Sequence, residues 1–450
     1  MRRLRGLVVL LALTALASLA AIAPASALVI QRVISPGGIE AWLVEDHSLP
    51  IVALEFAFRG AGGMLDPDGQ EGLAAFAAGV IDEGAGELDA AAFKGRLEEL
   101  SIGFRTSAGV DNISGGLRVL TRHAEEAFGL LALALARPRF DPPAIERVRG
   151  QILSQLAQQA QQPRAIAGVA FNRALFALDP YGRRGGGTVA SIRAIDRAAL
   201  QGVMRRLARD RLVIGVVGDM TPGALARQLD RVFAPLPATG EGAAPARPVV
   251  ADHGDVMVIE RDGPQSVVTF GHDGIRRDDP DYLVATVVMH VLAGSGLTSR
   301  LGVEVREKRG LAYGINAGLS PLSRAGLVTG ATATDNARVA ETIALVREGW
   351  ARMATEGPSA AELADAKTYL TGSYPLNFDS SDRVAGFLLA AQLDRLGIDY
   401  FDRRNGLVEA VTLEDARRVA RRLLKPDALT FVVVGRPRDV RPTRAPPDQG

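Results

Sequence analysis

The chain has 450 residues, 47% of them apolar and 23% charged, a balance that builds a large core and excludes a disordered polymer. Its length exceeds one ordinary domain, and Lys+Arg 52 against Asp+Glu 51 leaves +1, so no net field draws it onto nucleic acid. The absence of Cys excludes disulfides, thiolate metal sites, iron–sulfur clusters and a thiol nucleophile, leaving five His and the carboxylates as the remaining metal ligands.

Arg2, Arg3 and Arg5 precede an apolar run from Leu7 to Ala23, then Pro24 and the triplet Ala25, Ser26, Ala27. A basic start, an apolar stretch too short to span a bilayer and an A-x-A site read as an export signal over residues 1–27. The mature protein is therefore expected to be periplasmic or secreted, with no membrane contact after cleavage.

From Val29 the chain alternates. Val29 to Ile34 and Ile39 to Val44 flank the turn Ser35-Pro36-Gly37-Gly38, which predicts a hairpin; a further strand is expected at Ile51 to Phe58. Helices are expected over Gly72 to Ile81, Ala90 to Leu100, His123 to Ala136 and Pro142 to Gln159, with strands at Gly103 to Val110 and Ile113 to Leu120. Strands and helices in separate runs point to an α+β layer. A second copy comes after the first. The helix Asp196 to Ala208 leads into the strand Leu212 to Gly218, and Glu414 to Leu424 leads into Leu429 to Gly435, while Ile51 to Phe58 and Ser266 to Phe270 open the two halves. The duplication predicts an N-terminal domain over 28–234, a Pro- and Gly-rich linker over 235–255, a C-terminal domain over 256–436 and a flexible tail over 437–450.

Local motifs offer little chemistry. Gly60-Ala61-Gly62-Gly63 and Gly185-Gly186-Gly187-Thr188 lack phosphate-loop spacing, and Ala293-Gly294-Ser295-Gly296-Leu297 misses both flanking glycines of a nucleophile elbow; all three read as turns. Asp66, Asp68 and Glu71 read as a solvated acidic turn. His47, His123, His253, His272 and His290 contain no pair three or four apart, so they form no helical metal platform, and His290 reads as a core or boundary residue.

Five segments nevertheless resemble the pitrilysin/insulinase zinc metallopeptidases, in particular their short bacterial, processing-peptidase-like subunits: IEAWLVEDHSLP at 39–50, GLAAFAAGVIDEG at 72–84, ERVRGQILSQLAQQAQQP at 146–163, Pro180-Tyr181-Gly182, and LTSRLGVEVREKRGLAY at 297–313. The resemblance implies two homologous α+β domains, each an antiparallel sheet packed with helices. It also implies an inverted His-x-x-Glu-His on the first helix, where two imidazoles one turn apart hold zinc and the Glu polarises water. This chain has Ala75, Ala78 and Gly79 at those positions and Gln155 at the third ligand. No zinc and no catalytic residue are therefore expected in the chain itself. Asp82, Glu83 or Glu146 would remain as metal ligands only if the alignment slipped, and as helix-end carboxylates they read as solvated.

The family's substrate-contacting Arg and Tyr are retained as Arg306 and Tyr313, a guanidinium and a phenol suited to a peptide carbonyl or its oxyanion. The bland alternative is an Arg306 ion pair with Glu304 or Glu307 and a core Tyr313. The resemblance implies a non-catalytic subunit that lends Arg306 and Tyr313 to a zinc-bearing sister acting on unfolded peptides. The other reading is an inactive peptide-binding or scaffold protein.

Overall fold

The computed structural model describes residues 28–294 and 298–447; the expected signal segment and Ser295-Gly296-Leu297 of the expected turn lie outside them. In chain order the first half contains β1 (Ile30–Ile34), β2 (Glu40–Glu45), β3 (Ile51–Arg59), α1 (Leu73–Ala78), α2 (Ala90–Glu99), β4 (Gly103–Ala108), β5 (Asn112–Leu120) and α3 (Ala124–Ala136). It continues with α4 (Pro142–Gln159), α5 (Pro163–Phe176), α6 (Val189–Ala194), α7 (Arg197–Val203), β6 (Leu212–Gly218) and α8 (Pro222–Phe233). The second half contains β7 (Val256–Glu260), β8 (Gln265–Asp273), α9 (Tyr282–Ala293), β9 (Ile315–Pro321), β10 (Gly326–Asp335) and α10 (Val339–Glu356). It ends with α11 (Ala360–Gly372), α12 (Ser381–Leu393), α13 (Tyr400–Glu409), α14 (Leu413–Leu423) and β11 (Thr430–Gly435).

The fold is α+β, with two sheets packed by helices. One is six-stranded, in the order β1-β2-β6-β3-β5-β4, and the other five-stranded, in the order β7-β11-β8-β10-β9. Neither is wholly antiparallel, contrary to expectation. β6 inserts between β2 and β3, parallel to the former, and β11 runs parallel to β7. Near-neighbour strands pair by short turns, but a strand returning after some 150 residues takes whichever direction its helix delivers it in.

Side-chain alternation explains which face each strand buries. Val52, Leu54, Phe56 and Phe58 of β3 join the first half's core beneath α1, α3 and α8; Val268 and Phe270 of β8 and Phe431 and Val433 of β11 join the second, under α9, α10 and α14. The opposite faces are covered across the halves. Val384, Ala385, Leu388 and Ala391 of α12 lie on Trp42, Val44 and Val217 of the first sheet. Ile166, Ala170, Phe171 and Ala174 of α5 lie on Met257, Ile259, Val432 and Val434 of the second. The central strands β3, β6 and β11, covered on both faces, are near-continuous apolar runs for that reason. At Gly215 a Cβ would sit 2.6 Å from the Ala385 carbonyl oxygen, so only hydrogen fits beneath α12.

A polar link joins the same halves. The Tyr181 hydroxyl donates to Asp111 (2.6 Å), Ser323 donates to the same carboxylate (2.7 Å), and Arg324 pairs with Asp179 (2.8 Å) while stacking on the Tyr181 ring at 4.6 Å. Burial, then the hydrogen bond to Asp111, pushes the Tyr181 phenol up to about 12, so it stays a donor at any physiological pH. Within the expected tail, Thr443 is docked on β7: its amide donates to the Val256 carbonyl at 2.9 Å.

Two buried groups oppose one another in pH dependence. His272, fully buried, accepts from Trp350 Nε1 (3.0 Å) and is pushed down to about 4 by burial. Glu55, on the sheet face beneath α12, is pushed up to about 7 by burial in spite of Arg105. As pH falls from 6.5 toward 4 the unfolded chain binds a proton that folded His272 refuses, so stability is lost, by up to about 3 kcal/mol. As pH rises from 4.5 toward 7 the folded chain retains a proton at Glu55 that the unfolded chain has released, which also costs stability. Glu55→Gln should therefore steepen the acid loss between pH 6.5 and 4.5, read as the urea midpoint against pH; an unchanged profile would remove Glu55 from the balance.

Candidate functional site

The helix at the altered metal motif is short. α1 starts after Gly72, which takes a left-handed φ of 87° that a side chain would strain, and it ends at Ala78, three residues before the predicted end. Asp66 holds its start. This carboxylate accepts the Ala74 N–H at 3.2 Å and pairs with Arg206 at 2.8 Å, and Arg206 donates onward to the carbonyls of Gly62 and Leu65. Burial raises the Asp66 pKa against the pull of Arg206. The reading of Asp66 as solvated is thus corrected: the partner lies 140 residues away, far beyond the three-residue reach of a local cap, so no sequence signal marks it.

The far end is braced likewise. The reading of Glu83 as a solvated helix-end carboxylate is also corrected, since it is buried between Lys94 of α2 (2.5 Å) and Arg147 of α4. Burial pushes its pKa up, yet the two cations outweigh that and hold it low. Glu146 pairs with Arg149 one turn on. Asp82 is half-buried, and burial raises its pKa.

Between these braces the motif face is packed. Ala78 is fully buried, and its carbonyl accepts from Thr106 Oγ1 of β4 at 2.6 Å. Gly79 and Ala75 are half-buried, and a Cβ at Gly79 would lie 3.4 Å from Val148 of α4. Gln155 is exposed on α4, seven residues beyond Val148 and therefore about 10 Å farther along the same side. Methyl groups and hydrogen offer no donor, and one neutral amide is a poor ligand, so these residues do not fit the zinc of the resemblance. Among the described residues no cluster of three or more His, Asp or Glu stands where it could hold a metal. His290 is half-buried and stacks on Tyr369, centroids 4.7 Å apart.

Arg306 and Tyr313 are brought together. Arg306 lies in a π-helical turn, Gly302–Glu307, whose Val305 is anchored in the core. The chain reverses through Gly310, at φ 58°, and the Leu311 amide donates back to the Val305 carbonyl at 2.8 Å. Thr334 and Thr332 of β10 then clamp the backbone on either side of Tyr313 by donating to the carbonyls of Leu311 (2.6 Å) and Gly314 (2.9 Å). The result is a rigid backbone with a phenol that is 88% exposed. The Arg306 guanidinium carbon lies 4.6 Å from the centroid of that ring, a cation–π distance.

Neither element of the bland alternative is found. Glu304 is taken by Lys308 (2.7 Å) and Arg309, Arg306 has no carboxylate partner among the described residues, and Tyr313 is outside the core. The pair presents five N–H donors and one hydroxyl side by side. No described contact links it to the α1 residues.

Removing the brace at the start of α1 has a measurable cost. Asp66→Ala strands a buried guanidinium and uncaps the helix, and should destabilise the chain by about 3–5 kcal/mol, read as a lowered urea midpoint. A change under about 1 kcal/mol would mean that Arg206 finds water instead.

The family described as "Peptidase M16 inactive domain" matches residues 195–370. The chain is 30% identical over 355 residues to the non-peptidase homolog YmxG of Helicobacter pylori, covering 78% of this chain and 81% of that protein. It is 28% identical to an uncharacterized zinc protease of Mycobacterium leprae, covering 77% and 82%. The crystal structure of a peptidase M16 inactive domain from Pseudomonas fluorescens superposes with a TM-score of 0.83 at 28% identity, covering 93% of this chain and 99% of that one.

Proposed function

The chain belongs to the peptidase M16 (pitrilysin/insulinase) family with a degenerate zinc motif, and on that footing we propose that it is the non-catalytic subunit of a heterodimeric zinc peptidase. It binds no zinc of its own. The zinc and the water-activating Glu reside in a sister subunit of the same family, and this chain supplies Arg306 and Tyr313 to the sister's substrate. The substrates are unfolded peptides, held by strand addition to a sheet edge of the sister, which reads backbone more than side chain. The pair works in the periplasm or outside the cell, once residues 1–27 are removed. Nucleic acid plays no part.

The observation that carries the reading is the asymmetry between the two sites. Where the family holds metal, this chain presents Ala75, Ala78 and Gly79, and a Cβ at Gly79 would already touch Val148 at 3.4 Å. Where the family contacts substrate, it presents a clamped, outward Tyr313 under a guanidinium. The description of the H. pylori relative as a non-peptidase homolog supports the first half of this.

A zinc held by the sister's own His and Glu residues would supply an activated water for attack on the scissile carbonyl. Arg306 and Tyr313 donate to the carbonyl oxygen as negative charge grows there, or to the neighbouring peptide group, and so lower the barrier without touching the metal.

Purified alone, the chain should contain far less than one zinc per molecule and cleave no peptide. Mixed with its sister it should restore turnover, and Arg306→Ala or Tyr313→Phe should lower that turnover by about 10- to 1,000-fold with the zinc content of the complex unchanged. Wild-type turnover in both variants would remove the assigned role; near-stoichiometric zinc in the isolated chain would overturn the division of labour.

A further inference from the structure

We infer that the cavity between the C-terminal end of α12 and the first sheet binds a phosphate dianion, free or as a small monoester, between Arg59 and Arg395. This holds whether or not a sister subunit exists.

Alternation along β3 puts Glu55, Ala57 and Arg59 on the face beneath α12, since Phe56 and Phe58 enter the core on the other. Arg59 therefore ends the strand under the last turn of α12, where its Nη2 donates to the Gln392 carbonyl at 2.8 Å. The rest of the guanidinium has no acceptor among the described residues: Nη1 makes no hydrogen bond, and Nε is buried without one. Arg395 follows the end of α12 by two residues and lines the same cavity, about 320 Å³ in volume, whose walls include Trp42, Leu212, Val213 and Ala391.

The backbone at Arg395 is unusual. The Leu396 amide donates to the Ala391 carbonyl (2.9 Å) and the Arg395 amide to the Gln392 carbonyl (3.2 Å), the paired closure that ends a helix on a left-handed residue. Glycine is the usual occupant of that position, yet Arg395 holds it at φ 56°, where a side chain adds strain. What the strained residue contributes is a second guanidinium at the cavity, and its side chain has no partner of its own among the described residues.

The acids nearby do not balance the two cations. Glu40, in the cavity wall, is taken by Arg32 (2.6 Å) and Trp42 Nε1 (3.3 Å), and Asp399 is paired with Arg403. Asp394 lies 3.7 Å from Arg277. Burial, then the charge of Arg395, lowers the Arg59 pKa, and Asp394 offsets only part of this. Arg59, Arg277 and Arg395 thus share one carboxylate, which leaves two positive charges over. A phosphate group brings close to two negative charges at neutral pH and three oxygens that match guanidinium forks, whereas a carboxylate would neutralise only half of the surplus. The indole and aliphatic walls leave room for the organic part of an ester. Because Arg59 belongs to β3 and Arg395 to the chain after α12, the bound anion ties the two halves where they interlock.

Trp42 is the reporter, since the other tryptophan, Trp350, is fully buried in the second half's core. The full chain at low ionic strength is titrated with inorganic phosphate, phenyl phosphate and benzoate and followed by tryptophan fluorescence. Both phosphates should saturate, the tighter of them at least about tenfold more tightly than benzoate, and added salt should weaken them. Tighter binding of phenyl phosphate than of inorganic phosphate identifies an ester as the ligand; equal affinity identifies free phosphate. Arg395→Gly suits the left-handed backbone, so this variant should fold at least as stably without ligand and bind phosphate at least about tenfold more weakly, while Arg395→Lys should lose less. Arg59→Gln should weaken binding similarly. Phosphate should raise the thermal midpoint of the wild type and leave that of Arg395→Gly unchanged. No saturation by either phosphate, benzoate binding as tightly, or wild-type affinity in a folded Arg395→Gly would overturn the inference.

Discussion

The exchange of α5 and α12 between the halves is the constraint on which the rest of the molecule depends. Each sheet has one face on helices of its own half and the other under a helix from the opposite half, so neither sheet can bury both faces unaided. The close approach at Gly215 shows how tight this is: a methyl group there would strike the Ala385 carbonyl oxygen at 2.6 Å, a distance that backbone can relieve only by moving α12 as a body. At the corresponding place on the second sheet the ring of Phe171 lies 3.0 Å from where a Gly271 Cβ would stand. The two halves are therefore one cooperative structure, locked additionally by Tyr181, Asp111, Ser323 and Arg324. A rigid frame of this kind fixes the Arg306–Tyr313 turn relative to both sheets.

The same interlocking explains the titration behaviour. Glu55 sits on a face that would be open to water if the first half stood alone; α12 desolvates it, and Arg105, itself mostly exposed, returns too little to hold the carboxyl in its ordinary range. His272 belongs to the second half's own core, where Trp350 donates to one ring nitrogen and burial disfavours the charged ring. One group weakens the fold on acidification and the other on neutralisation, so the pH response of the whole chain is a difference of two terms of similar size.

Much of this architecture is legible in the sequence, and the failures have physical causes. Alternation and the Ser35–Gly38 turn locate β1 and β2, and the apolar run at Ile51 to Phe58 locates β3, since local pattern and burial agree there. The insertion of β6 between β2 and β3 is not legible, because nothing local records a partner that arrives after several intervening helices. α1 reads too long: the apolar pattern continues to Ile81, but Gly79 ends the helix. The most consequential misreading is Asp66, whose neighbours Pro67, Asp68 and Gly69 look like any solvated turn; its burial is set by Arg206, which sequence distance hides. Arg306 and Tyr313 emerge only through resemblance to a family, and their contact, a stacking between residues seven apart across a π-helical turn, has no signature in periodicity.

In the family resemblance a metal would join α1 to α4, and a chain that loses the donors loses that joint. Here the joint is replaced by ionic braces at the two ends of the segment, Asp66 with Arg206 and Glu83 with Lys94 and Arg147, the latter reaching α4 itself. Buried ionic groups of this kind contribute little net energy but tolerate no missing member, so they position elements better than they stabilise them. With α1 held by charge, its face at Ala75, Ala78 and Gly79 offers methyl groups and hydrogen and no metal donor. In the other half the clamped Tyr313 is directed at solvent, with the Arg306 guanidinium over its ring. On the proposed reading, that phenol and guanidinium serve a peptide carbonyl in the site of a sister subunit.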